Sequence, residues 1–446
     1  MILKSISVGG FKNLHYMSIN TSSSNVISII SPNNYGKSNL LEAIRFAIDY
    51  IAAGPKQRST MMAWKNGIPL TPGLANEPFR FEIELENPQL KEYRYIRYGF
   101  SFLWYRDDST GQRIIDEHLD MRANESVKYA AFLKRTQNKY RKGKSTNAFR
   151  SMTFSDNVLA IDILSSIEDI EYSGVLSTIH QFKYRVCETL DVDSQFQFSP
   201  LSVADEDDKS IRFDDEDVPR ALYKLKTLYP DKYLMFEDAI HSLFPEFTQI
   251  NVQAHELSPD YKEVHFVFAG DKDSLEQQSL DNVPFHLKDT VYRVMITSKN
   301  LNQPVSMSAM STGTKRIFWL LTNIFVASCT EVGCIGIEEL ETSIHPKMLK
   351  NLLEIVSETL DDTRIIISSH SPYLVQYLKP FQIFVGATLE NGAAQFLRIR
   401  ETRLKKLLSA ARSYDLSVGE YLFELMSGGN SQLSTLQNYL EVTECD

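Results

Sequence analysis

The chain has 446 residues, 43% of them hydrophobic and 23% charged, with a net charge of −10 at pH 7. That length can bury a large core and form two or three substructures, and the acidic balance argues against a protein that coats nucleic acid by charge alone. The sequence has no apolar run of the roughly 18 residues a membrane helix needs, and Met1–Ser7 lacks the apolar core of a signal peptide, so no membrane partner is expected.

In chain order, short strands are predicted at Ile2–Val8, Phe11–Leu14 and Tyr16–Asn20. Val26–Ile30 is a continuous apolar run of the buried-strand type, and residues 40–48 repeat apolar positions at helical spacing. Between them lies Ser31-Pro32-Asn33-Asn34-Tyr35-Gly36-Lys37-Ser38-Asn39. It follows the pattern G-x-x-x-x-G-K-[ST], with Ser31 in place of the first glycine. A strand, a tight loop and a helix N-terminus together form a cradle for a triphosphate, because loop N–H groups and the positive helix end face the anion. Lys37 is expected to reach the β- and γ-phosphates, Ser38 to sit on Mg²⁺, and Asn33, Asn34, Gly36 and Asn39 to complete the ATP-contacting loop.

Residues 50–78 read as loop. Phe79–Glu86 alternates strictly and predicts a half-buried strand. Tyr93–Tyr105 and Arg113–Leu119, separated by a turn at 107–111, are expected to complete an antiparallel set. Residues 121–245 read as mainly helical, with patterns at 158–170 and 175–190. This stretch carries a basic run at 134–144, with Lys134, Arg135, Lys139, Arg141, Lys142 and Lys144, and an acidic one at 205–217. The basic run reads equally as a solvated flexible loop or as a surface for nucleic acid or an acidic partner; the acidic run reads most simply as a solvated loop, with docking of a basic partner as the alternative. No sustained heptad pattern predicts a long coiled-coil arm. Strands return at Gln249–Val252 and Val264–Phe268. The four cysteines, Cys187, Cys329, Cys334 and Cys445, lack C-x-x-C metal spacing, which fits a reduced, cytoplasmic setting.

Beyond residue 300 the motifs become dense. Ser311 and Gly313 precede a strongly apolar helix at 315–327, where a simple N-cap competes with phosphate binding. The strand Cys334–Ile337 runs into Glu338 and Glu339. A phosphate-loop enzyme needs one acid in the Mg²⁺ shell and another to orient or deprotonate water; Glu338 fits the first role and Glu339 the second. A helix at 346–360 and a strand at Arg364–Ser368 lead to Ser369-His370-Ser371-Pro372, where His370 would hydrogen-bond a γ-phosphate and sense its loss. The tail from 401 is mostly helical, starts basic and ends its last helix at Gly428-Gly429.

The order of phosphate loop, S-x-G-T-K signature, acidic strand and S-S-H-S-P resembles the ATP-binding-cassette type of ATPase. Ile337–Pro346, Ser311–Arg316 and the opening Gly10–Leu14 resemble more narrowly the soluble OLD-like and SMC-like ATPases, many of them from bacterial anti-phage systems. That resemblance implies an α/β fold: an ABC-type ATPase head with a mixed sheet, an antiparallel β subdomain and an inserted helical domain. The expected divisions are 1–120, 121–245, 246–390 and 391–446. It also implies ATP and Mg²⁺ as cofactors, and a self-assembled sandwich in which the Lys37 loop of one copy faces Ser311 and Gly313 of another. Ser31, Met310, Thr312 and Glu338 depart from the family pattern, which bears on turnover more than on binding. OLD proteins carry a C-terminal nuclease. The tail after His370 is too short for one and holds no D-x-D pair, so a separate effector protein, a nuclease among the candidates, is expected. The layout resembles the ATPase subunits of PARIS and Septu systems. A DNA-binding repair ATPase of the SMC-like kind is the alternative.

Overall fold

The computed structural model describes the chain except residues 107–112, 145–147, 188–190, 198–200, 203–210, 212, 214–216, 258–285, 389–391 and 442–446. The chain divides into two compact units, one of Met1–Glu188, Glu331–Thr342 and Leu360–Asp446, the other of Thr189–Thr330 and Ser343–Thr359. The fold is α/β, with one mixed and one long antiparallel sheet.

In the first unit, the run Val-Ile-Ser-Ile-Ile at Val26–Ile30 is buried at every position. Such a run suits the middle of a sheet covered on both faces. It lies inside a six-stranded sheet in the order Lys183–Cys187, Val332–Glu338, Arg364–Ser369, Val26–Ile30, Ile383–Thr388, Ala394–Arg398. The first five strands are parallel, and the last is antiparallel. Ile30 pairs with Ser369, and Ser368 with Glu338. The carboxyl ends of three neighbouring strands therefore carry the phosphate loop, the His370 segment and the acidic pair. In open parallel sheets that edge is the ordinary place for ligands.

The second sheet has eight strands and begins in the order Met17–Asn20, Ile2–Gly9, Phe79–Glu86, Tyr95–Phe102, Ile114–Arg122, antiparallel throughout. Phe79–Glu86 buries Phe79, Phe81, Ile83 and Leu85, as its alternation predicts. The helix Lys37–Ala52 buries ten of its side chains in one core with apolar residues of both sheets. Tyr50 stacks on Phe100 and Phe102, each at 5.0 Å, and Phe46 meets Phe79 edge-on at 5.2 Å. The phosphate loop thus springs from an anchored strand and feeds an anchored helix.

The helices Leu404–Ser413, Val418–Ser427 and Asn430–Gln437 form a second core with Ile30, Val375 and Val385. The last of them corrects the expectation that helix ends at the glycine pair. Gly428 and Gly429 only interrupt it in extended backbone, and the Gln432 side chain accepts from the Gly429 N–H at 3.1 Å to start a new turn.

The second unit holds the helices Val218–Leu228, Pro230–Leu243, Thr312–Cys329 and Pro346–Thr359, and a three-stranded antiparallel sheet of Phe247–Glu256, Thr290–Ser298 and Val305–Ser306. Phe236 meets Phe318 and Phe325 edge-on at 5.8 and 6.0 Å.

Residues 121–245 are less helical than expected. Ala130–Lys134, Lys139–Tyr140 and Arg150–Ser151 extend the eight-stranded sheet. Lys183–Cys187 pairs with Val332–Glu338, cutting the expected helix at 175–190 to Ser173–Gln181. Cross-strand pairing outweighs weak local propensity there. Phe11–Leu14 is a bridged turn rather than a strand. The expected strand Val264–Phe268, the turn at 107–111, Cys445 and most of the acidic run lie outside the described residues. Asp217 of that run caps the helix Val218–Leu228 by accepting from Arg220 N, and pairs with Lys288 at 2.9 Å. Cys329 and Cys334 are free thiols. Among the described residues no helix is long and apolar enough to cross a membrane.

Candidate nucleotide site

The loop is built for close approach by its own backbone. Asn34 and Gly36 have φ of 65° and 103°, a left-handed region glycine enters without penalty and Asn tolerates. A Cβ on Gly36 would come 2.7 Å from Asn13 Oδ1, which accepts from Asn39 Nδ2 at 2.8 Å. No side chain caps the helix that Gly36 opens, so its first-turn N–H groups face outward as an anion cradle does. Asn33, Asn34 and Ser38 are exposed. Ser31 is fully buried, donates its N–H to the Ser369 carbonyl at 3.3 Å, and has its Cβ against Gly386, where an added Cβ would approach to 2.6 Å. The glycine missing from the loop is matched by one on the adjacent strand.

Lys37 is buried and donates to the Ser31 and Pro32 carbonyls at 2.8 and 3.0 Å. Burial lowers its pKa, while Glu339, Glu341 and Glu338, in that order, pull it back up. All three carboxylates thus lie within electrostatic reach of the ammonium. Glu339 occupies left-handed backbone, φ 49°, a strained conformation for a residue that is neither Gly nor Asn. Its N–H bonds to the Ser368 carbonyl at 2.9 Å. Its Oε1 lies 3.1 Å from His370 Nδ1, and its Oε2 accepts from the Thr342 hydroxyl at 3.3 Å. Both Glu339 and His370 remain about two-fifths exposed.

Glu341, which the sequence reading did not single out, completes the group. Its Oε1 accepts from the Ser369 hydroxyl at 2.6 Å and lies 4.0 Å from His370 Nδ1. Ser369 Oγ in turn accepts from Ser371 N at 3.0 Å, so the His370 turn is fastened to the acidic segment. Glu341 Oε2 is buried without a protein partner. The available signal was the third carboxylate in Glu338-Glu339-Leu340-Glu341.

Among the described residues no cluster of three or more His, Cys, Asp or Glu could hold a metal. Mg²⁺ suits a different donor set, one or two protein oxygens with water and phosphate oxygens. The Ser38 hydroxyl and the Glu338 carboxylate offer that hard-oxygen chemistry.

Next to the loop, a depression of 490 Å³ is lined by Lys12, Asn13, Asn39, Glu42, Ile68 and Leu70, among others. Its size falls within the usual range of about 300–1,000 Å³ for small-molecule sites. Lys12 and Glu42 pair across it. The sequence reading missed this depression because its walls come from a helix and two loops apart in sequence.

Ser311 and Gly313 belong to the other compact unit. Ser311 caps the helix Thr312–Cys329, accepting from Thr314 N at 3.2 Å. Gly313 closes on the Ser343 carbonyl, 2.5 Å from a would-be Cβ. Lys315 pairs with Asp193 at 2.7 Å. The basic run is divided: Lys134, Lys139 and Lys144 are exposed, whereas the other three have partners. Arg135 is wholly buried on Glu117, Arg141 stacks on Phe149 at 4.3 Å, and Lys142 pairs with Asp169.

Residues 190–376 match the family described as "AAA domain, putative AbiEii toxin, Type IV TA system". No curated protein matches the chain. Among solved structures, an SmcHead bound to the C-winged helix domain of ScpA is similar at 11% identity, covering 91% of this chain and 100% of its own, with a TM-score of 0.49. The SMC head domain from Thermotoga maritima is similar at 12% identity, covering 90% and 100%, with a TM-score of 0.42. A Pyrococcus furiosus Smc head with an extended coiled coil, bound to the C-terminal domain of ScpA, is similar at 12% identity, covering 92% and 99%, with a TM-score of 0.44.

Proposed function

We propose that this protein is an ATPase that switches or scaffolds a separate effector protein in bacterial anti-phage defence. The observation that carries the ATPase reading is one edge of one sheet. There Lys37 lies in the field of Glu338, Glu339 and Glu341, and Glu339 in turn holds His370. The loop N–H groups and Lys37 would bind the β- and γ-phosphates, and the depression beside Asn13 and Asn39 would take the nucleoside. Ser38 and Glu338 would hold Mg²⁺, which neutralises phosphate charge when bound. Glu339, partly exposed and held by His370 and Thr342, would orient the attacking water and accept its proton. His370 would read the γ-phosphate and pass its loss to Glu339 and, through Ser369, to Glu341.

In this reading Ser311 and Gly313 act on the nucleotide of a second copy, so that closure on ATP makes a dimer and hydrolysis reopens it. Ser311 would then exchange its cap on Thr314 for a phosphate contact. The description of the matching family names a toxin–antitoxin system, which supports a defence role; the separate effector and the cytoplasmic setting belong to the proposal. An SMC-like DNA-binding ATPase would use the same site; burial of Arg135 on Glu117 withdraws one cation of the basic run, and Lys134, Lys139 and Lys144 stay exposed. Lys37→Ala should abolish ATP binding by calorimetry, and Glu339→Gln should accumulate an ATP-bound dimer in sedimentation experiments. A Lys37→Ala protein that binds and hydrolyses ATP normally would end the proposal.

A further inference from the structure

Tyr35 belongs to the phosphate loop, yet its side chain points out of it. Its hydroxyl donates to the Met426 carbonyl at 2.6 Å. Met426 lies in the last turn of the helix Val418–Ser427, where carbonyls have no partner within the helix and accept from outside. The same helix meets the His370 segment at its opposite end. Gly419 lies flush on Pro372, so close that a Cβ would sit 2.1 Å from the Pro372 carbonyl oxygen. Pro372 starts the short helix that follows His370 and Ser371. Reciprocal bonds fix the start of the helix, with Glu420 N donating to Ser417 Oγ at 3.2 Å and Ser417 N to Glu420 Oε2 at 2.9 Å. Leu422, Leu425 and Met426 share a buried core with Val375 and with Ile30, the residue just before Ser31.

We propose that the helix Val418–Ser427 is a positioning element of the nucleotide site, and that Tyr35 is a positioning residue for the triphosphate. This rests on the ATPase reading above and extends it to a segment outside the motifs. One end of the helix holds the phosphate loop through a hydrogen bond, and the other sets the His370 turn by steric contact. A phosphate loop released from Met426 spends part of its time in shapes that do not bind, and affinity falls by the fraction of competent molecules.

The test uses the full chain, Mg²⁺ and a non-hydrolysable ATP analogue. Tyr35→Phe removes only the hydroxyl and should weaken the Kd about two- to tenfold, the range expected for one net hydrogen bond, with thermal stability close to wild type. Gly419→Ala drives a methyl group into Pro372 and should lower kcat more than it changes KM, since it acts on the His370 side. A Tyr35→Phe protein with wild-type Kd, or a Gly419→Ala protein that loses stability but keeps kcat per folded molecule, overturns the proposal. A wild-type chain that binds no nucleotide overturns the ATPase reading along with it, whereas wild-type binding with an unmoved Tyr35→Phe overturns this inference alone.

Discussion

Glu117 and Glu339 are two glutamates of one compact unit with opposite surroundings. Glu117 is wholly buried. It accepts from Ala160 N at 2.7 Å, Ile161 N at 3.1 Å, the Tyr98 hydroxyl at 3.1 Å and Arg135 Nη1 at 3.3 Å. Burial pushes its carboxyl up, and those donors, led by Ala160 N, pull it back. Its hydrogen-bonding capacity is spent inside the protein, so it holds a sheet to a helix and has nothing left for a ligand. Glu339 sits in strained left-handed backbone, is partly open, and among the described residues meets the His370 and Thr342 side chains. The difference teaches where chemistry can happen: an acid prepared for a substrate is one whose lone pairs the protein has left unclaimed, at the cost of local strain.

The contrast breaks most sharply if Glu339→Gln leaves turnover intact. Losing a general base should cost about 10²- to 10⁴-fold in hydrolysis, measured by phosphate release, with little change in the unfolding midpoint. Arg135→Ala should do the reverse. It leaves Glu117 without its counter-ion and removes the donors that Arg135 gives the Val158 and Ser155 carbonyls at 2.6 and 2.7 Å. Urea titration should show a loss of about 3–5 kcal/mol, while nucleotide affinity per folded molecule stays unchanged.

A smaller effect concerns His118 on the eight-stranded sheet. Burial alone would lower its pKa, but Asp116 at 3.4 Å and Glu82 at 3.0 Å prevail and raise it to about 9. A folded pKa raised above the unfolded value, about 6.5, adds stability that is complete below 6.5 and fades as the pH climbs through 9. The stability gap between wild type and His118→Gln should therefore be largest near pH 6 and shrink by pH 10, as read from urea midpoints. A gap that does not change with pH would mean the imidazolium is not formed.

The phosphate loop, the acidic strand and His370 were legible in the sequence because each is local, a few residues at a strand end whose types dictate the chemistry. The same holds for Phe79–Glu86, whose alternation survives intact in the sheet. The strands from Ala130 to Ser151 were not legible. They are short, carry Lys134, Lys139 and Arg150, and owe their shape to pairing with partners the sequence does not indicate. The basic run misled for a related reason. Arg135 looks solvated like its neighbours until the fold supplies Glu117 as a buried counter-ion. Glu341 and Tyr35 were overlooked because their roles depend on residues far along the chain, Ser369 and Met426.

The meeting of Ser31 with Gly386 carries a consequence for how such a loop can drift. Two neighbouring strands share room for a single methylene, and here the loop has claimed it. Gly386→Ala should therefore be damaging alone and largely relieved by Ser31→Gly, a swap that restores the more usual loop while moving the bulk across the seam. The unusual serine is then one half of a reciprocal exchange, and its tolerance is decided by a residue more than three hundred and fifty positions away.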